Sequence, residues 1–84
     1  MEIRETIRRL HVQFADSRGM QATYCPCEVA RKIAPDNWRT LMHLVREVAD
    51  DLVKEGSPVV MQKGHTIPES ATKAVGPICL RRKC

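Results

Sequence analysis

Ile3, Ile7, Leu10 and Phe14 recur at spacings of four, three and four. That spacing lays them along one stripe of a helix and leaves the intervening arginines on other faces. The pattern predicts a first helix over about 2–17, with Gly19 as the stop after Arg18. The run Gln-Ala-Thr-Tyr, 21–24, predicts a brief extended segment.

The stretch Tyr-Cys-Pro-Cys-Glu-Val-Ala-Arg-Lys-Ile, 24–33, opens a second helix. Proline is favoured at the first helical position, because that N–H would have no intrahelical partner anyway. Pro26 there, with Glu28 in the first turn against the positive end of the helix, puts Cys25 at the cap. Val29, Ala30, Ile33 and Ala34 form the apolar face, and Pro35 ends the helix, giving about 26–34.

Asp36 or Asn37 is the expected cap of a third helix over about 37–55. Trp38, Leu41, Met42, Val45, Val48, Ala49, Leu52 and Val53 repeat at threes and fours without a break up to Gly56. Trp38 is expected to anchor the core. After Pro58 the period changes: Val-Val-Met-Gln-Lys-Gly and Gly-Pro-Ile-Cys-Leu-Arg-Arg are strand-like. They predict a hairpin over about 58–82. The polar interval from His65 to Val75, bracketed by Gly64 and Gly76, is its long exposed tip. The tip could instead hold a turn of helix at 67–74.

This order defines an α+β fold: a winged helix-turn-helix, three helices followed by a two-stranded β-hairpin wing, in one domain spanning 1–84. At 84 residues there is no room for a second domain. The chain is 43% hydrophobic, which argues against disorder throughout, and its three aromatics leave a mainly aliphatic core. So few aromatics also count against a module that stacks single-stranded RNA bases. No apolar run reaches the ~20 residues of a membrane span. The charged amphipathic start lacks an apolar signal core, so a cytoplasmic location with reduced thiols is expected.

Charge changes the picture. Residues 1–56 carry nine Lys/Arg and nine Asp/Glu, so the net +4 lies in residues 57–84. There Lys63, Lys73, Arg81, Arg82 and Lys83 face Glu69 alone. A localised positive field attracts polyanions.

Candidate chemistry changes it little. A zinc knuckle needs four converging ligands, usually two spaced pairs. Only Cys25 and Cys27 are paired; Cys79, Cys84, His11, His43 and His65 are isolated. No metal or other cofactor is therefore expected, and the cysteine pair reads as small residues at a helix start. A narrower reading is redox: a thiol in the first turn of a helix feels the positive dipole, which favours Cys27 over Cys79. No nucleophile–base spacing, phosphate loop or paired-carboxylate signature is present, and a non-enzyme is expected.

The segments Cys-Pro-Cys-Glu-Val-Ala-Arg-Lys-Ile, Trp-Arg-Thr-Leu-Met and Gly-Pro-Ile-Cys-Leu-Arg resemble a family of small bacterial proteins catalogued only as a domain of unknown function. The likeness runs from Ile3 to Arg82. It implies a winged-helix fold and no established activity. Cys27 stands where that family's pattern has Ser, and Val75 and Cys79 stand where it has arginines.

The third helix is the recognition element of this fold. Arg39, Thr40, His43 and Arg46 lie away from its apolar face, in the half that meets base edges. Arg46 and Asp50 could also pair with each other along the helix. Glu47, Asp50, Asp51 and Glu55 on the other half would repel phosphate, so the helix would enter DNA by its N-terminal end. Lys63, Lys73, Arg81 and Arg82 of the wing would contact phosphates and set orientation. The expected partner is duplex DNA. The alternative is a protein-interaction module that takes an acidic protein or a second copy of the chain.

Overall fold

The computed structural model describes residues 2–83. The Cys84 thiol, isolated in the sequence, lies outside them. Helix α1 (Ile3–Arg18) runs to Gly19, whose φ of 72° lies in the left-handed region that a glycine adopts without strain. Helix α2 (Pro26–Ile33) begins at Pro26, with Cys25 as the extended cap residue. A 3-10 turn (Trp38–Leu41) leads into helix α3 (Met42–Lys54). Strands β1 (Val59–Gln62), β2 (His65–Thr66) and β3 (Cys79–Arg81) form an antiparallel sheet in the order β2-β1-β3.

The expected α+β winged-helix arrangement is present, with one correction to the wing. It has three strands instead of two. Val59, Val60 and Met61 pair with Arg81, Leu80 and Cys79, as a simple hairpin requires. The chain between them first turns back at Lys63-Gly64, so that Gln62 also pairs with His65 and Met61 with Thr66. Both turn residues have positive φ, 52° and 83°, the geometry of a two-residue turn that matches strand twist. Tyr24 adds an antiparallel bridge to Leu80, with backbone bonds of 2.8 and 2.7 Å. The extended segment before α2 thus lies on the far edge of β3 and ties the helix-turn-helix to the wing.

Two further expectations are corrected. The third helix is not α-helical from its start, since Trp38–Leu41 wind as a tighter 3-10 turn. Neither Asp36 nor Asn37 caps it by side chain. The Asn37 carbonyl instead accepts the Thr40 N–H at 3.2 Å and the Thr40 hydroxyl at 2.8 Å. The wing tip is not wholly exposed either. Ala71 and Ala74 are buried, and Ile67 packs against the core. Ile67 is the one large apolar residue in that interval to reach the core; the other contacts are made by small alanines, which carry no strand or helix pattern.

The core joins Ile7 and Ala15 of α1, Val29 and Ala30 of α2, and Val45, Val48, Ala49 and Leu52 of α3. Val60, Leu80 and Tyr24 close it from the sheet side. One polar side chain lies inside it: His11 is only 1% exposed. Its Nε2 lies 3.0 Å from the Val45 carbonyl, which can only accept, so the proton sits on Nε2. That leaves Nδ1 to accept the Tyr24 hydroxyl at 2.9 Å. Both polar rings are satisfied, so α1, α3 and the Tyr24 segment are pinned at one point. Burial lowers the His11 pKa below the usual 6.5 and raises that of the Tyr24 phenol.

Candidate nucleic-acid interface

Three of the four arginines of α1 are matched to carboxylates; the fourth, Arg9, is exposed and has no carboxylate partner among the described residues. Arg4 reaches Glu47 at 3.2 Å and Asp51 at 3.4 Å, and Arg8 makes a two-pronged pair with Glu55. The Glu55 carboxylate beside Arg8 is held below the ordinary range, first by that hydrogen bond. Arg18 grips Glu28 at 2.6 and 3.1 Å and donates to the Thr23 carbonyl at 2.9 Å. Arg18 lowers the Glu28 pKa in the same way. Much of the acidic half of α3 is thus covered by cations from its own fold, a pairing between distant segments that helical spacing could not reveal.

The other end of the helix-turn-helix differs. Trp38 is half-buried, packed on the core but not enclosed by it. The Arg31 guanidinium of α2 lies over its ring at 4.4 Å and that of Arg39 at 4.7 Å. A cation over an indole face is attracted by the ring quadrupole but keeps its edge donors open. Arg31, Lys32 and Arg39 are exposed, and none has a carboxylate partner among the described residues. Beside them, Thr40 is exposed, its hydroxyl committed to Asn37. His43 is 78% exposed and sits 2.8 Å from Glu47 one turn on.

Arg46 has another task. It donates to the carbonyls of Ala71 and Ala74 at 3.3 Å and of Gly76 at 3.1 Å. Asp50, one turn later, accepts the Ala71 and Thr72 N–H groups at 2.5 and 3.2 Å and the Thr72 hydroxyl at 2.7 Å. The i,i+4 pair therefore clamps the wing loop to α3. This clamp sets Lys73, exposed and next to Thr72, close to the recognition helix: Thr72 and His43 line one shallow groove floored by Glu47, Asp50 and Asp51.

The remaining wing residues scatter. Lys63 is exposed at the β1–β2 turn. Arg81 is half-buried in β3, and its Nε is enclosed. Arg82 reaches Asp16 at 3.6 Å and lines a hollow with His11, Leu52, Ser57 and Pro58. Leu52 is near the C-terminal end of α3, and Arg39 precedes its N-terminus. A helix of this length measures roughly 20 Å. The structure therefore brings Arg39, Thr40 and His43 together, places Lys73 nearby through the loop clamp, and sets Arg82 at the opposite end.

Arg31 and Lys32 were missed by sequence reasoning, which assigned α2 only to packing. A signal did exist: a basic pair in the last turn of the first helix of a helix-turn-helix, a few residues before the single Trp38 and Arg39.

The architecture is that of a winged-helix module without a metal-ligating cluster among the described residues, and no helix is long and apolar enough to cross a membrane. The chain belongs to the family described as "Protein of unknown function (DUF3253)", whose model matches residues 3–83. No curated protein matches it.

Proposed function

We propose that this protein binds duplex nucleic acid without catalysing a reaction, presenting the Trp38 end of its helix-turn-helix to the phosphate backbone and groove edge. The supporting observation is the division of its arginines. Arg4, Arg8 and Arg18 of α1 are consumed by carboxylates, while Arg31 and Arg39 are stacked on Trp38 and lack a carboxylate partner among the described residues. Stacking holds each guanidinium in place while leaving donors for phosphate or base edges. Lys32 and Lys73 extend the cationic surface, and Thr40 and His43 stand at the start of the recognition helix.

The test is a gel shift with random-sequence duplex DNA across a salt series. Neutralising about four phosphates gives a slope of log affinity against log salt near −4. Absence of binding at low salt contradicts the proposal.

A further inference from the structure

The geometry points to a modification site at the start of α2: Cys25 and Cys27 form a thiol pair that closes to an intramolecular disulfide on meeting hydrogen peroxide. Their Sγ atoms are 3.0 Å apart, closer than two sulfurs in ordinary contact, and both residues are half-buried. The fold holds them there. Tyr24, just before, is fixed by its two backbone bonds to Leu80 and its hydroxyl bond to His11. The Cys25 N–H is held by the Glu28 carboxylate at 2.8 Å, and Pro26 between the thiols fixes its own φ. The conformational cost of bringing the two sulfurs together is therefore met by the native structure.

Glu28 would disfavour a thiolate beside it, but Arg18 covers that carboxylate with a two-pronged bond. Cys27 lies in the first turn of α2, at the positive end of the helix. Burial and the neighbouring Cys27 thiol raise the Cys25 pKa. Cys27 is thus the attacking sulfur and Cys25 the resolving one.

The Cys27 thiolate attacks one peroxide oxygen, the O–O bond breaks, and hydroxide leaves and takes up a proton. Cys27 becomes a sulfenic acid. Cys25 sulfur then attacks Cys27 sulfur, the S–O bond breaks, and the Cys25 proton leaves with the hydroxyl as water. Two thiols and one peroxide give one disulfide and two waters; the sulfurs lose two electrons and the peroxide gains them.

Both thiols lie between Arg18 and Arg31, so a single tryptic peptide, 19–31, carries the pair. The full reduced chain is treated with hydrogen peroxide, alkylated with iodoacetamide at timed points, digested and weighed. Peptide 19–31 should lose two hydrogens, refuse alkylation, and take two alkyl groups again after dithiothreitol. Its thiols should disappear about tenfold or more faster than that of Cys79, which has no neighbouring thiol among the described residues. In Cys25→Ser, dimedone should trap the sulfenic acid at Cys27, whereas the native chain should yield little adduct. Equal alkylation of Cys25, Cys27 and Cys79, or as much dimedone adduct in the native chain as in C25S, overturns the inference.

Discussion

Arg8 and Arg39 carry the same group on the same small surface, yet the fold uses them differently. Arg8 closes a two-pronged pair with Glu55 across the α1–α3 seam. Arg39 rests on Trp38, where Arg31 joins it from α2, and no carboxylate among the described residues answers either charge. The seam neutralises itself; the Trp38 end keeps its positive field. The comparison shows why net charge by segment misleads here. Residues 1–56 sum to zero, but the cancellation is spatially uneven, and cationic surface survives at the turn between α2 and α3.

The largest expected effect falls on an arginine of a third kind. Arg46→Ala removes the donor for three loop carbonyls, those of Ala71, Ala74 and Gly76, two of them on buried alanines. The expected loss is about 2–3 kcal/mol in urea unfolding, because partly buried acceptors are stranded together with a charged donor's bonds. Next comes the double reversal Arg31→Glu/Arg39→Glu. It should lower affinity for random duplex about tenfold or more while moving stability by less than about 0.5 kcal/mol, as for surface positions outside the packed core.

A smaller, pH-dependent effect belongs to His11. Its folded pKa lies below the ordinary 6.5, so the unfolded chain takes up a proton first as pH falls. Stability should be full above about pH 6.5 and decline below it, at up to about 1.4 kcal/mol per pH unit, until the folded pKa is passed. Glu28, whose folded pKa is depressed by Arg18, adds a second decline below the usual 4.5. In His11→Asn the first decline should disappear from urea midpoints measured across pH. The smallest effect is at the seam. Arg4→Ala should cost under about 0.5 kcal/mol and less at high salt, since its partners are exposed.

The helical stripes were legible because three- and four-residue spacing is a local property: Ile3 to Phe14 gave the first helix near its true bounds, and Val45 to Val53 gave the third near its true end but with a start five residues early. The glycines and Pro26 marked the ends for equally local reasons. The third strand was not legible. His65 and Thr66 are polar and exposed, and only the Lys63-Gly64 turn makes them pair. Nor was the division of labour among charges. Arg46 and Asp50 are spaced to pair along a helix, but both turn to a loop some 25 residues on, and no pattern within a window announces that. Trp38 was assigned to the core by its period, while its ring also carries two guanidiniums at the surface. Sequence gives the stripe a residue belongs to; the packing of neighbouring elements decides how much of the ring it covers.

Trp38 is the single tryptophan of the chain, so its fluorescence reports on the proposed interface alone. The direct test titrates the full chain with a short random-sequence duplex at low salt while following that emission, then adds salt. The account predicts a saturable change in Trp38 emission that salt reverses and that Arg31→Glu/Arg39→Glu abolishes. An emission that stays constant while the duplex is bound, or that changes equally in the double variant, would contradict it.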